Sequence, residues 1–266
     1  MCGKLLLREM MSSSESGHVN WDEDLPEKLR LRWEQWVSSL IHLQELKIPR
    51  KYSDISVVKA SRREVHFFSD ASKDAIASVA YLKLFFDENS DVSFLMGKAK
   101  VSPTNGHTIP RLELCAAVLS VEIADIVKQE LNIDSKDFHY YTDSKGVLVY
   151  VTNETRKFFM YVSNRVNRIR VSSSPEQWSY VATDQNPADI ATRHLSSTDL
   201  PDSVYLSGPS FLLQNVYDNE QEYICTLVNP STDKEVRPLV TTIKLTFIKT
   251  YDCQIVSLIS HHGTAL

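Results

Sequence analysis

Cysteine is scarce in this chain. Its four cysteines, Cys2, Cys115, Cys225 and Cys253, are scattered over 266 residues, and no two form a CxxC pair. That pattern indicates neither a zinc site nor a disulfide framework. It fits a reducing intracellular compartment, cytoplasm first and nucleus second. Long apolar runs are missing too: none approaches the ~20 residues needed to span a bilayer, so no membrane partner is expected. The first residues, Met1 to Met11, carry no cleavage-site pattern, and no secretory signal is expected. No phosphate loop of the form GxxxxGKS/T occurs, which argues against nucleotide hydrolysis of that type. No internal repeat is visible. Nor is there an excess of positive charge. The formal net charge is -5, so overall charge does not mark a nucleic-acid binder.

Hydrophobic residues make up 42% of the chain, enough for one domain of ordinary size with flanking material. Positive charge is concentrated locally. Arg156, Lys157, Arg165, Arg168 and Arg170 fall in one stretch without an acidic residue. Such a stretch is either a solvated helix face or a surface that follows phosphates.

Patterning divides the chain into four parts. Residues 1–22 read as a flexible N-terminal remnant and 23–59 as a helical connector. Residues 60–195 read as the folded domain and 196–266 as an irregular tail. In the connector, Asp24 and Glu27 resemble a capping box with Pro26 in the first turn. Leu29, Trp33, Trp36, Val37, Leu40 and Leu43 then share one helical face, and Pro49 stops the helix. In the domain, Val65–Ser69, Ala75–Phe86 and Val92–Val101 read as three consecutive strands with short connections, an antiparallel meander. Pro110 opens a long helix burying Leu112, Ala116, Leu119, Ile123 and Ile126. Phe138–Thr142 is a fourth strand, and Ser144–Val151 and Phe158–Val171 are helices. Gln177–Ala182 is a fifth strand, and Asn186–His194 is a last helix. A right-handed crossover through the long helix makes the first and fourth strands parallel. The predicted fold is an α/β domain with a mixed five-stranded sheet and helices on its faces.

Four acids stand out in that topology. Each has an innocent explanation alone. Asp70 could cap a turn, and Glu113 could complement a helix macrodipole. Asp143 could be an N-cap, and Asp189 could complete a capping box after Asn186. Together they suggest chemistry. Asp70 and Asp143 end adjacent parallel strands, where ligands bind in open α/β sheets. The long helix can return Glu113 to the same edge, and the last helix Asp189. Clustered carboxylates repel unless cations neutralise them. Two Mg²⁺ ions ~3.5–4 Å apart can activate a water and stabilise the leaving oxygen of a phosphodiester.

The stretches FSDAS (68–72), IPRLELCAA (109–117), YTDS (141–144) and NPADIATR (186–193) resemble, in that order, the ribonuclease H region of BEL/Pao retrotransposon polyproteins. WDEDLP (21–26) and LQELKIPR (43–50) resemble that family's connector from the reverse transcriptase. SGPSFL (207–212) resembles its segment after the nuclease. The resemblance implies a ribonuclease H-like fold with Asp70, Glu113, Asp143 and Asp189 as metal ligands. It implies two Mg²⁺ ions, with Mn²⁺ as an alternative. The implied activity is endonucleolytic cleavage of the RNA strand of an RNA–DNA hybrid, leaving a 3′-hydroxyl and a 5′-phosphate. The basic residues Arg156 to Arg170 would then lie along the hybrid's backbone. The implied context is a polyprotein, with a reverse transcriptase upstream of Lys4 and an integrase downstream of the tail.

One departure is visible. Many ribonucleases H have a histidine in the loop before the last aspartate; here Thr183-Asp184-Gln185 is short and Thr183 stands near that place. His261 and His262 in the tail have no matching cysteine pair, so no zinc site is expected. Three other readings stay open at this level. The chain could be an inactive nucleic-acid-binding remnant of a retroelement polyprotein. It could be a DNA-acting nuclease of the same superfamily, such as an integrase with three acids. Or it could be an interaction domain in which all four acids are caps.

Overall fold

The computed structural model describes residues 1–12, 24–48, 59–86, 89–103, 107–155, 157–193, 195–213 and 234–237. Pro49, Arg156, Cys225, Cys253, His261 and His262 lie outside the described residues, as do the expected loop at Asn105 and Gly106 and the expected helix end at His194.

Five strands form the sheet: β1 (Arg62–Ala71), β2 (Ala75–Phe86), β3 (Asn89–Val101), β4 (Phe138–Thr142) and β5 (Trp178–Tyr180). Their order is β3-β2-β1-β4-β5. The first three are antiparallel, and β4 pairs parallel with both β1 and β5. This is the mixed sheet the pattern predicts. Strand β2 keeps its expected bounds, while β1 and β3 run longer than their apolar stretches because pairing continues past them, with Arg62 opposite Phe85 and Asn89 opposite Phe86. Strand β5 is shorter than expected. Gln177 leaves it for a tight turn and donates through Nε2 to the carbonyls of Ser135 and Phe138.

Seven helices accompany the sheet among the described residues: α1 (Cys2–Ser12), α2 (Glu27–Ser39), α3 (Ile109–Leu131), α4 (Lys145–Thr152), α5 (Met160–Ser172), α6 (Ala188–Thr192) and α7 (Val204–Ser207). None is long and apolar enough to cross a membrane. Helix α3 starts with Pro110 in its first turn and ends at Asn132, whose φ of 50° is the left-handed stop. It buries Leu114, Leu119, Val121 and Ile123 against one sheet face, together with α4 and α5. Each such side chain contributes about 1.5–3 kcal/mol. Ile126, expected on the buried face, is exposed; Val127 is buried instead. The opposite face carries Phe68, Val79 and Tyr81, covered by α6 and by Tyr205, Phe211 and Leu212. The packed domain therefore runs past residue 195 into a stretch expected to be irregular.

Residues 1–22 also differ from expectation, because Cys2–Ser12 is a helix. It docks at the end of the meander: Lys4 donates to the Ala99 carbonyl, and Arg8 binds Asp74 and the Ser102 carbonyl. Trp36 of α2 lies over Gly3, where an added Cβ would stand 2.4 Å from the indole. Trp33 packs against Trp36 at 4.8 Å. The tryptophan helix thus finds its partner in α1. The capping box does not form. Pro26 stands at the N-cap without a side-chain cap bond, and Glu27 pairs with Arg30. After Ser39 the helix tightens into a 3₁₀ turn, Leu40–Glu45.

Candidate active site

Strands β1 and β4 run parallel with Ser69 opposite Thr142. The next residue of each is an acid, so Asp70 and Asp143 leave adjacent strand ends together. Helix α3 returns beside them. Glu113 faces inward from its second turn and is 9% exposed, although it is charged by nature. Carboxylate oxygens of Asp70, Glu113 and Asp143 lie within 4.8 Å of one another; this is the one group of three or more metal-ligating side chains among the described residues.

For Asp70, Asp143 and Glu113 the innocent explanations fail. The turn after β1 is held by Ser72, whose Oγ accepts from Asp74 and Ala75, not by Asp70. Helix α4 is capped by Ser144, whose Oγ accepts from Val147, not by Asp143. Glu113 lies beyond the first turn, where a macrodipole contribution fades. At α6, Asn186 is the organising residue. Its Oδ1 accepts from Ala188, and its Nδ2 donates to the Ser69 carbonyl at 3.0 Å. That bond ties α6 to the end of β1.

The cluster is electrostatically costly. Burial, with Asp143 and Asp189 nearby, pushes the Asp70 carboxyl up to about 6. Burial, with Asp70 and Asp143 beside it, pushes Glu113 up to about 9. The Ala71 N–H donates to both carboxylates and offsets part of that cost. Two oxygens, Glu113 Oε2 and Asp143 Oδ1, are buried without a hydrogen-bond partner. Buried orphan acceptors of this kind are rare in folded proteins. A hard divalent cation is the ligand such an all-oxygen set suits.

Asp189 stands apart from the group of three. Its carboxylate binds Arg193 at 2.7 Å. It is nonetheless close enough to raise the pKa of Asp70 and Glu113, while burial raises its own. Two threonines escaped the sequence reading of the site. Thr192 donates its hydroxyl to Asp70 Oδ2, and Thr183 donates to Asp143 Oδ2 at 2.8 Å. Thr192 and Arg193 lie inside the NPADIATR stretch, so a signal for them was present. Thr183 occupies the short loop noted for its missing histidine.

The basic residues do not form one open stripe. Arg168 binds Asp125 and Ser172. Arg170 donates to the carbonyls of Val151 and Asn153, which tie α5 to the end of α4. Arg165 lies 3.4 Å from the Tyr161 ring centroid and donates to Cys115 Sγ and the Tyr161 carbonyl. Lys157 is exposed. Cys115 is half-buried, with Arg165 and the Tyr161 hydroxyl at its sulfur.

No match was found among curated proteins. Among solved structures, the chain is similar to RNase H1 from the halophilic archaeon Halobacterium salinarum, at 16% identity and TM-score 0.34, covering 54% of this chain and 100% of that one. It is similar to the N-terminal RNase H domain of a Mycobacterium tuberculosis protein, at 14% identity and TM-score 0.35, covering 53% and 97%. It is also similar to LC11-RNase H1, solved in complex with an RNA/DNA hybrid, at 10% identity and TM-score 0.32, covering 48% and 91%. A family model described as the Pao retrotransposon-like RNaseH-like domain matches residues 1–144. That span includes α1 and takes in Asp70, Glu113 and Asp143. With more than half its length matched, the chain belongs to the Pao retrotransposon-like RNaseH-like domain family.

Proposed function

We propose that this domain hydrolyses the RNA strand of RNA–DNA hybrids with Mg²⁺ held by Asp70, Glu113 and Asp143, and with Asp189 joining them. The observation that carries the reading is the three-carboxylate group at the ends of two parallel strands, with two of its buried oxygens lacking partners. Bound there, a pair of hard divalent cations supplies an activated water and stabilisation of the leaving oxygen. Thr192 and the Ala71 N–H fix the Asp70 carboxylate, and Thr183 fixes that of Asp143. Each then presents its remaining lone pairs in a set direction. Glu113, protonated near neutrality, gives up its proton when it becomes a ligand. Asp189 holds Arg193 through Oδ1 and has Oδ2 to turn toward the site, which makes it the adjustable fourth acid. Discrimination for RNA would rest on contacts to 2′-hydroxyls.

The test is cleavage of an end-labelled RNA–DNA hybrid in Mg²⁺, with Asp143→Asn as control. Wild-type protein should cut the RNA strand only, and the variant should be inactive. Equal cutting by both proteins sinks the proposal. A second reading, a DNA-acting nuclease with three acids, is favoured by one observation: Asp189 stands outside the group of three and is paired with Arg193. Cutting of duplex DNA but not of hybrid selects it.

A further inference from the structure

Beside the acid cluster, on the other side of the same helix, the chain has seated one of its own carboxylates on an arginine. Residues 234–237 run against Lys157–Phe159. Phe158 and Val236 form an antiparallel bridge. Phe159 N–H donates to the Glu235 carbonyl at 3.0 Å, and Arg237 N–H donates to the Lys157 carbonyl at 2.8 Å. This strap brings the Glu235 side chain onto Arg111. Arg111 Nε meets Oε1 at 2.7 Å and Nη2 meets Oε2 at 3.0 Å, a two-pronged fork. The Arg111 guanidinium also lies 4.8 Å from the Tyr161 ring centroid, and Arg165 lies 3.4 Å from the same ring. The Tyr161 hydroxyl is held by His107 and Cys115. Two guanidiniums thus gather at one braced ring, and Glu235 binds the Arg111 one.

We infer that Arg111, backed by Tyr161 and Arg165, is a binding site for a backbone phosphate of the nucleic acid, and that Glu235 fills it as an internal stand-in. The inference rests on the nuclease reading for its ligand class. The fork of an arginine fits a carboxylate and a phosphodiester alike, so a site that holds one bidentately is shaped for the other. Location selects nucleic acid. Arg111 precedes Glu113 by two residues, about 3 Å of rise along α3. The two side chains project to different sides of the helix. Arg111 therefore serves a phosphate flanking the cut, not the one being cut. The site is open from the arginine's side: Arg111 keeps 30% of its side chain exposed and Glu235 12%, so a second anion can reach the guanidinium and compete with the carboxylate. Strand entry then means exchanging Glu235 for phosphate, so the tail competes with substrate.

The test is fluorescence-anisotropy titration of a labelled RNA–DNA hybrid over a salt series in EDTA, with the full chain. The proteins are wild type, Glu235→Gln, Arg111→Ala and the double variant, with Arg111→Lys as a milder replacement and thermal melts to verify folding. Glu235→Gln keeps size and removes the competing charge. It should tighten binding about three- to tenfold and steepen the salt dependence by about one phosphate contact. Arg111→Ala should weaken binding and flatten that dependence, with Arg111→Lys in between. In the double variant the gain from Glu235→Gln should vanish. An unchanged affinity in Glu235→Gln, a gain that survives loss of Arg111, or no hybrid binding by any of the proteins overturns the inference. A parallel Mg²⁺ cleavage assay separates the two claims. An Arg111-dependent gain in binding without cleavage leaves the phosphate site standing and removes the nuclease reading. Cleavage without that gain does the reverse.

Discussion

Replacing Glu113 with glutamine should stabilise the protein when metal is chelated. Burial and two neighbouring acids raise this carboxyl from 4.5 to about 9. Because the folded value is raised, the group's full contribution to stability is present below 4.5 and is lost as pH rises toward 9. At pH 7 the folded chain holds the proton that the unfolded chain has released. The cost is about 1.36 kcal/mol for each of the roughly 2.5 pH units between 4.5 and 7, or about 3 kcal/mol. Glutamine copies the shape of the protonated acid and carries no such cost. Differential scanning fluorimetry in EDTA should show the variant melting about 6–12 °C higher at pH 7. The gap should shrink to about 1 °C at pH 4.5, where the carboxyl is fully protonated in the folded chain and half protonated in the unfolded one. Mg²⁺ should raise the melting temperature of wild type and narrow the gap from the other side. A variant no more stable than wild type at pH 7, or a gain that is the same at pH 4.5, would refute the reasoning.

Other consequences follow from the same contacts. Thr192→Val removes the hydroxyl that Asp70 accepts from and should weaken Mn²⁺ binding about tenfold by calorimetry, the effect of about 1.4 kcal/mol. Asn186→Ala breaks the buried bond between α6 and the Ser69 carbonyl and should cost about 1–3 kcal/mol in urea unfolding while impairing cleavage; unchanged stability counts against its organising role. Gly3→Ala drives a Cβ into the Trp36 ring and should cost about 1–3 kcal/mol, seen as faster proteolysis of the α1–α2 segment. Metal binding at pH 7 should release close to one proton, mainly from Glu113, and buffers of different ionisation enthalpy will count it.

The sheet was legible because its strands differ in kind. Consecutive apolar stretches joined by short turns specify a meander, and a strand, long helix, strand sequence specifies a parallel crossover. From there, Asp70 and Asp143 meet at neighbouring strand ends by topology alone, and Glu113 arrives on the returning helix. What sequence could not supply is pairing. The run of Arg165, Arg168 and Arg170 looks the same whether the charges face solvent or are tied to Asp125, Val151 and Tyr161, and these ties join residues up to 50 positions apart. Nor did composition show that Glu64 and His66 are buried in β1. Burial there holds the His66 imidazole down to about 4, although a Glu64 carboxylate oxygen lies 3.3 Å from its Nε2. The docking of α1 was hidden for a similar reason. Its key feature is a missing side chain at Gly3, which makes room for Trp36. Asp189 fell between. Its place on α6 followed from the last strand and helix, but its partner Arg193 did not.

The most direct test of the metal centre is a crystal soaked in MnCl₂ and measured at the manganese absorption edge. Anomalous density between the carboxylates of Asp70, Glu113 and Asp143, lost in an Asp143→Asn crystal, is the predicted result. Density elsewhere, or none at millimolar manganese, would contradict the account.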